Sequence, residues 1–352
     1  LLLSASEQRV DLPEPADHVV VNEGGYGFYR VRYATDLLGK LLERPLDFLR
    51  SIERFNLVND GWAATLAGLD PIGAYLDLTS RFREETDRNV WTALLGSFAS
   101  LHRVIHSGDR RLLEMLVRDR LGPAVARLGW APLPGESDLH RQLRGDLLRG
   151  MGTLGSDATV QAEARGRYAR YRDDPSAADP NVVAALIAIL AHGGGEGEYA
   201  EFLARFRSAS TPQEEQRYLY ALAGFREAGL LRRTLDLTMS GEVRTQDAPY
   251  LVRSLLMNVQ ARELAWEFVK EHWDTMERQY PQGAFRKMCE GVTALATPEL
   301  EADVQAFFTA KNVSLGGKTL EQYLEQLRIA VAFREREMAN LASYLSRFQG
   351  AR

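Results

Sequence analysis

Apolar residues recur at helical spacing along most of the chain, from about residue 35 to its end. Segments 88–106 and 110–128 place apolar side chains three and four positions apart, which predicts one buried stripe on each helix. Asp179 followed by Pro180 pairs a capping side chain with a first-turn proline, and so marks a helix start. The pattern therefore predicts helices of about 10–20 residues joined by short turns.

Helix pairs recur at a spacing of about 40 residues, although no strict repeat is visible in the sequence. This spacing is typical of solenoid repeats of the HEAT or armadillo type. Each pair can bury its apolar stripe only against its neighbours, so the stack is expected to curve and to leave a concave face. The predicted fold is all-α, an α-α superhelix or HEAT/armadillo-like helical bowl, over residues 35–352.

The stretch from Val19 to Tyr33 has a different pattern. Its β-branched start and its aromatic end predict two strands, and Gly24, Gly25 and Gly27 predict the turn or bulge between them. An isolated hairpin is marginal in water, so these strands are expected to belong to a sheet whose other strands lie outside this chain. Residues 1–34 are accordingly predicted to be a short β segment.

Composition narrows the functional class. Hydrophobic residues make up 45% of the 352 residues and charged residues 26%, which is typical of a soluble globular protein. The net charge of -5 argues against a nucleic-acid partner, since no basic excess is available for phosphates. A single cysteine, Cys289, favours a reducing, cytoplasmic compartment. No apolar run is long enough to predict a membrane span, and Leu1–Leu3 do not form a signal peptide.

No catalytic arrangement can be found in the sequence. His102 and His106 are four positions apart and could share a helix face that binds zinc. Arg103, however, stands where a zinc peptidase carries its general-base glutamate, and a cation cannot accept a proton from metal-bound water. Ordinary surface or half-buried histidines are the preferred interpretation. No catalytic and no metal-binding residue is therefore predicted in this chain.

Several short motifs occur in a characteristic order. They are Asn22 with Gly27-Phe28-Tyr29-Arg30-Val31-Arg32-Tyr33, Arg54 with Asp60 and Trp62, Glu85 with Trp91, Leu128-Gly129-Trp130 with Leu143-Arg144, Val243 to Asp247, and Leu264 to Phe268 with His272-Trp273. Together they resemble the C-terminal helical domain of the aminopeptidase N family of gluzincin zinc aminopeptidases. This domain is similar to the endoplasmic-reticulum aminopeptidase C-terminal-like domain. The arginine-rich composition fits a bacterial, actinobacterial member.

The resemblance implies a division of labour within a longer protein. In that family the helical domain is a bowl that covers the zinc site of a separate catalytic domain and helps to select peptides. Residues 1–34 would be the remnant of a preceding β-sandwich domain, and residues 35–352 the C-terminal domain. The family's H-E-x-x-H and G-x-M-E-N motifs are absent here, so the fragment is expected to be non-catalytic, with zinc held by the parent enzyme's catalytic domain. Its expected partners are the parent's catalytic and β-sandwich domains and peptide substrates. The alternative is a free-standing α-solenoid scaffold that binds a protein on its concave face.

The resemblance also suggests where a peptide could be held. Arg244, Gln246 and Asp247 precede a predicted helix, and a helix N-terminus with an arginine beside it favours the carboxylate end of a peptide. Alternatively, Asp247 only caps its helix and Arg244 only pairs with a neighbouring acid. Asn258, between two helices, is expected to be either a turn residue or a donor on the chamber wall.

Overall fold

The computed structural model describes residues 7, 9–11 and 16–350, and every regular element within these residues is helical. The all-α prediction is therefore confirmed. The first helices are α1 (Thr35–Leu41), α2 (Pro45–Phe48), α3 (Ser51–Leu66), α4 (Ile72–Thr79), α5 (Arg88–Val104), α6 (Arg110–Leu128), α7 (Asp138–Gly152) and α8 (Ala158–Asp173). The later helices are α9 (Pro180–Gly193), α10 (Glu196–Arg207), α11 (Pro212–Ala221), α12 (Ala228–Met239), α13 (Ala248–Met257), α14 (Arg262–Gln279), α15 (Gln282–Cys289), α16 (Pro298–Ala310) and α17 (Thr319–Gly350).

The odd-numbered helices from α3 to α15 form one continuous row. Each contacts the next odd-numbered helix, so that α5 lies between α3 and α7, and α9 lies between α7 and α11. The even-numbered helices return the chain between them and pack on this row, as α6 does on α7, α8 on α9 and α10 on α11. A helix in such a stack buries its apolar stripe only against neighbouring helices, which is the arrangement of an α-α superhelix.

The last helix, α17, brings the two ends of the row together. It contacts α16 and the 3₁₀ turn Glu290–Ala294 near the end of the row, and also α3, α4 and α6 near its beginning. Arg336 donates from Nη2 to the backbone oxygen of Thr65 at 2.8 Å, and the backbone N–H of Ile72 donates to the buried carboxylate of Glu337 at 3.2 Å. The superhelix therefore closes on itself.

Local capping signals position the helices as the sequence predicts. The carboxylate of Asp179 accepts the backbone N–H of Asn181 at 2.9 Å, and Pro180 opens α9. Most of the apolar side chains of α9 are buried, as expected for a helix that is apolar on nearly every face. In the described part of the chain, no helix has both the length and the apolar character needed to cross a membrane.

The predicted strands between Val19 and Tyr33 are not formed in the described residues. A 3₁₀ turn occupies Glu23–Gly25 instead, with Asn22 and Gly24 at positive φ. The part of the predicted β segment at residues 1–6, 8 and 12–15 lies outside the described residues. Among the described residues no strand pairs with this segment, and several of its backbone donors bond to side chains instead.

Carboxylates of α3 supply two of these bonds. Glu53 accepts the backbone N–H of Gly24 at 3.0 Å, and Asp60 accepts that of Val31 at 2.9 Å. Asp60 also pairs with Arg30 at 3.0 Å. The first segment is thus held against α3 by side chains, in place of the strand pairing that the sequence pattern favoured.

Candidate functional site: a basic cavity at converging helix ends

A cavity of about 380 Å³ lies where the C-terminal ends of α5, α7, α9, α11 and α13 converge. Its wall includes a residue from the last turn of several of these helices, such as His102, His192, Tyr220 and Met257. Successive helices of the odd-numbered row run in the same direction, because an even-numbered helix returns the chain between them. Their C-terminal ends therefore meet on one side of the superhelix.

Side chains from distant helices cap the end of α5 beside the cavity. Arg262 donates from Nη1 to the backbone oxygen of Arg103 at 2.7 Å, and Arg334 donates from Nε to that of Val104 at 3.0 Å. The last carbonyls of a helix carry partial negative charge and lack partners within the helix. At α5 this charge is already matched by two guanidinium groups of the protein itself.

Asn258, one of the residues singled out from the sequence, lines the cavity but is fully engaged in the fold. Its Nδ2 donates to the backbone oxygens of Ala223 at 2.8 Å and Phe225 at 2.9 Å. Its Oδ1 accepts the backbone N–H of Gln260 at 2.9 Å. Both donors and the acceptor of the amide are used, so Asn258 joins two turns of the wall and has no donor left for a ligand.

Arg110 and Arg226 of the cavity wall form no ion pair among the residues that the structure describes, although both interact electrostatically with Glu114. Nε of Arg110 is buried without a hydrogen-bond partner. A third arginine of the wall, Arg149, has an acidic partner, since its Nη2 lies 3.8 Å from Oδ1 of Asp146. Glu114 is the acidic residue of the wall, and its burial raises its pKa. Arg110, Arg149 and Arg226 outnumber Glu114 in this wall, which is therefore rich in hydrogen-bond donors that favour an anionic ligand.

Two histidines complete the wall, and both are neutral at neutral pH. Burial, followed by Arg110, His192 and Arg226, lowers the pKa of His102 to about 4. Burial, followed by Arg226, lowers the pKa of His192 to about 4 as well. Nε2 of His192 is buried and has no hydrogen-bond partner. The imidazoles add polar groups to the wall without adding charge.

The other residues predicted from the sequence lie beside this cavity and do not line it. Arg244 is exposed and forms an ion pair with Glu215, and Gln246 is exposed. Asp247 is buried and accepts a hydrogen bond from the hydroxyl of Tyr220 at 3.4 Å, while its side chain makes no capping bond. Burial and Asp247 raise the pKa of Tyr220 to about 12. Tyr220 therefore connects the start of α13, where Asp247 lies, with the wall of the cavity.

His102 and His106 are not brought together by a helix. Helix α5 ends at Val104, and Ile105 and His106 have extended backbone, so the four-residue spacing does not place both imidazoles on one face. Within the described residues, no group of three or more His, Cys, Asp or Glu side chains could hold a metal ion. His102 and His106 therefore do not fit a zinc site.

Sequence reasoning missed Arg110, Arg226 and His192 as members of one site. His192 precedes Gly193, and Arg226 follows the short turn that ends at Gly224, so both are adjacent to helix ends. Basic residues near the ends of several stacked helices are a usable signal, but only once the helix order shows that those ends converge.

Comparison with known proteins decides the family. The ERAP1-like C-terminal domain profile matches residues 18–329. The chain belongs to this family. It is 27% identical to aminopeptidase M1-A of Oryza sativa subsp. japonica, over 93% of this chain and 38% of that protein. It is 27% identical to aminopeptidase M1 of Arabidopsis thaliana, over 88% of this chain and 36% of that protein.

A human relative has a similar overlap. The chain is 25% identical to endoplasmic reticulum aminopeptidase 2 of Homo sapiens, over 98% of this chain and 37% of that protein. The ERAP1-like C-terminal domain thus spans less than two fifths of the length of these relatives. The resemblance to the C-terminal domain of aminopeptidases is confirmed at the level of the family.

Proposed function

We propose that this chain is the non-catalytic C-terminal domain of a zinc aminopeptidase, and that its basic cavity receives the carboxyl end of a peptide substrate. The single observation that carries the proposal is the pair of arginines, Arg110 and Arg226, that line the cavity without forming an ion pair in the described residues, with Glu114 as the acidic residue of the wall. A peptide's terminal carboxylate is a planar anion that a guanidinium group can bind through two hydrogen bonds. The domain would then close the chamber over the peptide and help to select its length.

The size of the cavity supports this assignment. A volume of about 380 Å³ is at the lower end of the range for small-molecule sites, and suits the last one or two residues of a peptide better than a folded partner. The closed superhelix holds the wall rigidly, because α5, α9 and α13 are each packed on both sides. A fixed distance between this wall and a zinc centre in the parent's catalytic domain would favour peptides of one length.

The test uses the longer parent enzyme. Arg226→Ala should raise KM roughly tenfold for longer peptides with a free carboxyl end, the cost of one charge-assisted hydrogen bond. It should leave KM unchanged for an amino-acid anilide and for the same peptide with an amidated C-terminus. Arg170→Ala, at an exposed position of α8, is the matched control. An equal effect of Arg226→Ala on all three substrates would contradict the proposal.

Arg244 provides a direct comparison with the site inferred from sequence. If the carboxylate were held at the start of α13, Arg244→Ala would raise KM for long peptides more than Arg226→Ala. We expect the reverse order, because the guanidinium of Arg244 is already paired with Glu215. A larger effect at Arg244 would move the site to that helix start.

The remaining parts of the proposal concern the longer protein. Residues 1–34 would follow a β-sandwich domain, and that domain would cover Tyr26 and Phe28, which are 93% and 109% exposed in this chain. Zinc would be bound by the catalytic domain, and the location would be cytoplasmic. Hydrogen exchange tests whether a neighbouring domain covers Tyr26 and Phe28. Amides near these two residues should exchange more slowly in the longer protein than in this chain. Equal exchange rates would contradict the proposed contact.

A further inference from the structure

The two buried histidines have no part in the proposed recognition of a carboxylate, yet they line the same cavity. They come from different helices, α5 for His102 and α9 for His192. Nε2 of His192 is buried and lacks a hydrogen-bond partner, which is unusual because buried polar atoms are normally paired. Both imidazoles belong to residues that line the cavity, so a charged ligand bound there would change their electrostatic surroundings.

We infer that binding of an anion in this cavity is coupled to the uptake of a proton by His102 or His192. This inference rests on the proposed function of the cavity and adds a form of regulation to it. The proton comes from solvent and adds to a ring nitrogen, so the imidazole becomes a cation with two N–H donors. The carboxylate remains ionised, and no covalent bond changes.

The charges around the histidines explain the coupling. Helix α5 contributes Arg103, α6 contributes Arg110 and Glu114, α7 contributes Arg149, and Arg226 lies in the turn after α11. Tyr220 of α11 and the turn after α13 add polar but uncharged groups at neutral pH. In the empty cavity the positive charges outnumber Glu114, and protonation of an imidazole is opposed by both burial and repulsion.

A bound anion would instead favour protonation of the imidazoles. It neutralises part of the field of Arg110 and Arg226 and offers an acceptor to the protonated ring, so the histidine pKa rises from its value of about 4 in the free protein. Thermodynamic linkage then requires the anion to bind more tightly as pH falls, over the range between the free and bound pKa values. Above that range the coupling disappears, because neither state binds the proton.

Calorimetry of the 352-residue chain measures the coupling directly. The probe is a short N-acetylated alanine peptide with a free carboxyl end, titrated at about pH 5.5 in two buffers that differ in ionisation enthalpy. A difference in observed binding enthalpy between the buffers gives the protons taken up. We expect net uptake, and roughly three- to tenfold tighter binding at about pH 5.5 than at about pH 7.5.

Variants assign the proton to the histidines. The double variant His102→Gln/His192→Gln should still bind the peptide, with no buffer dependence and a flat pH response. His140→Gln, at an exposed histidine paired with Ser137, is the control and should behave like the parent. Glu114→Gln should tighten binding, because it removes the negative charge of the wall. Thermal unfolding followed by circular dichroism checks that each variant is folded.

The possible results separate the two proposals. Binding of the free-acid peptide without proton uptake would overturn the coupling and leave the carboxylate site intact. Proton uptake that persists in the double variant would also overturn it, since the proton would then reside elsewhere. If the amidated peptide binds as well as the free acid, the carboxylate site itself is wrong, and the coupling falls with it.

Discussion

The guanidinium of Arg262, in α14, donates from Nη1 to the backbone oxygen of Arg103 at the end of α5, across 159 positions of sequence. The same guanidinium reaches the backbone oxygen of Ala294 at 3.3 Å. Arg334 of α17 caps the next carbonyl of α5, at Val104. These bonds connect the first part of the superhelix with its last part. The end of α5 is therefore one of the points at which the superhelix closes, together with the contacts of α17 with α3, α4 and α6.

Replacement of Arg262 should test this dependence. Arg262→Met keeps an apolar stem but leaves the backbone oxygens of Arg103 and Ala294 without their donor. We expect the free energy of unfolding to fall by about 1–2 kcal/mol, the cost of leaving two partly buried acceptors unsatisfied. Urea denaturation at neutral pH measures it, with Arg278→Met at an exposed position of the same helix as the control. Equal losses in both variants would show that the bridge contributes nothing specific.

A second prediction concerns the buried ion pair between α3 and the start of α5. Arg54 donates from Nε and Nη2 to the carboxylate of Glu85 at 2.6 and 2.9 Å, and Glu85 is fully buried. Glu85→Gln would leave a buried guanidinium without its counter-charge, and should destabilise the protein by about 3–5 kcal/mol.

The control for that pair is an exposed one. Asp236→Asn removes the acidic partner of Arg232 on the surface of α12, where solvent screens the interaction. Its unfolding midpoint should remain within error of the parent. If Glu85→Gln were equally mild, the ion pair would not be a determinant of the α3–α5 packing.

A third prediction concerns the close contact between α7 and α9. A Cβ added at Gly145 would lie 2.6 Å from the backbone oxygen of Asn181, a rigid group that cannot move aside. Gly145→Ala should therefore lower stability by about 1–3 kcal/mol through overpacking. Gly166→Ala, in α8, meets nothing within 4 Å and should raise stability by about 0.5–1 kcal/mol. Opposite shifts of the thermal midpoint are expected, and shifts of the same sign would contradict the packing argument.

A fourth prediction follows from the depressed pKa values of His102 and His192. Both are about 4 in the folded protein, below the ordinary value of about 6.5 expected for the unfolded chain. As pH falls through about 6.5, the unfolded chain binds protons first, so stability falls until about pH 4. At about pH 5.5 each histidine should cost about 1 kcal/mol relative to neutral pH.

Urea denaturation at two pH values measures this loss. His102→Gln/His192→Gln should reduce the loss of stability between about pH 7.5 and about pH 5.5, whereas His140→Gln should leave it unchanged. The comparison removes the contribution of carboxylates, which all three proteins share. An unchanged acid response in the double variant would mean that the histidines are not held neutral by the fold.

Much of the fold could be predicted because its signals are local. Helix α6 spans 110–128 as the apolar spacing indicates, and the Thr211 hydroxyl caps α11 by accepting the N–H of Glu214. The sequence also predicts one helix that Pro45 opens, with Leu46, Leu49, Ile52 and Phe55 at helical spacing. This prediction is wrong in one respect, because the chain breaks at Leu49 and Arg50 between α2 and α3. Arg54 donates to the backbone oxygen of Leu49 at that break, a tertiary bond that helical spacing cannot indicate.

The site was less accessible to sequence reasoning than the fold. A helix N-terminus favours anions, which suggests Arg244, Gln246 and Asp247 as a site, and in the structure Arg244 is paired with Glu215 while Asp247 accepts a hydrogen bond from Tyr220. The residues that line the cavity belong to helix ends far apart in the chain, and no local motif connects them.

The sequence by itself determined most helices, several of their caps and the family, because each depends on neighbouring residues or on the order of short motifs. The tertiary structure alone decided that the C-terminal ends of α5, α9 and α13 converge, that α17 joins the two ends of the row, and that Val19 to Tyr33 docks on α3 without strand pairing. These features depend on the curvature of the stack, which sums small rotations between successive helix pairs and is not encoded by any single segment.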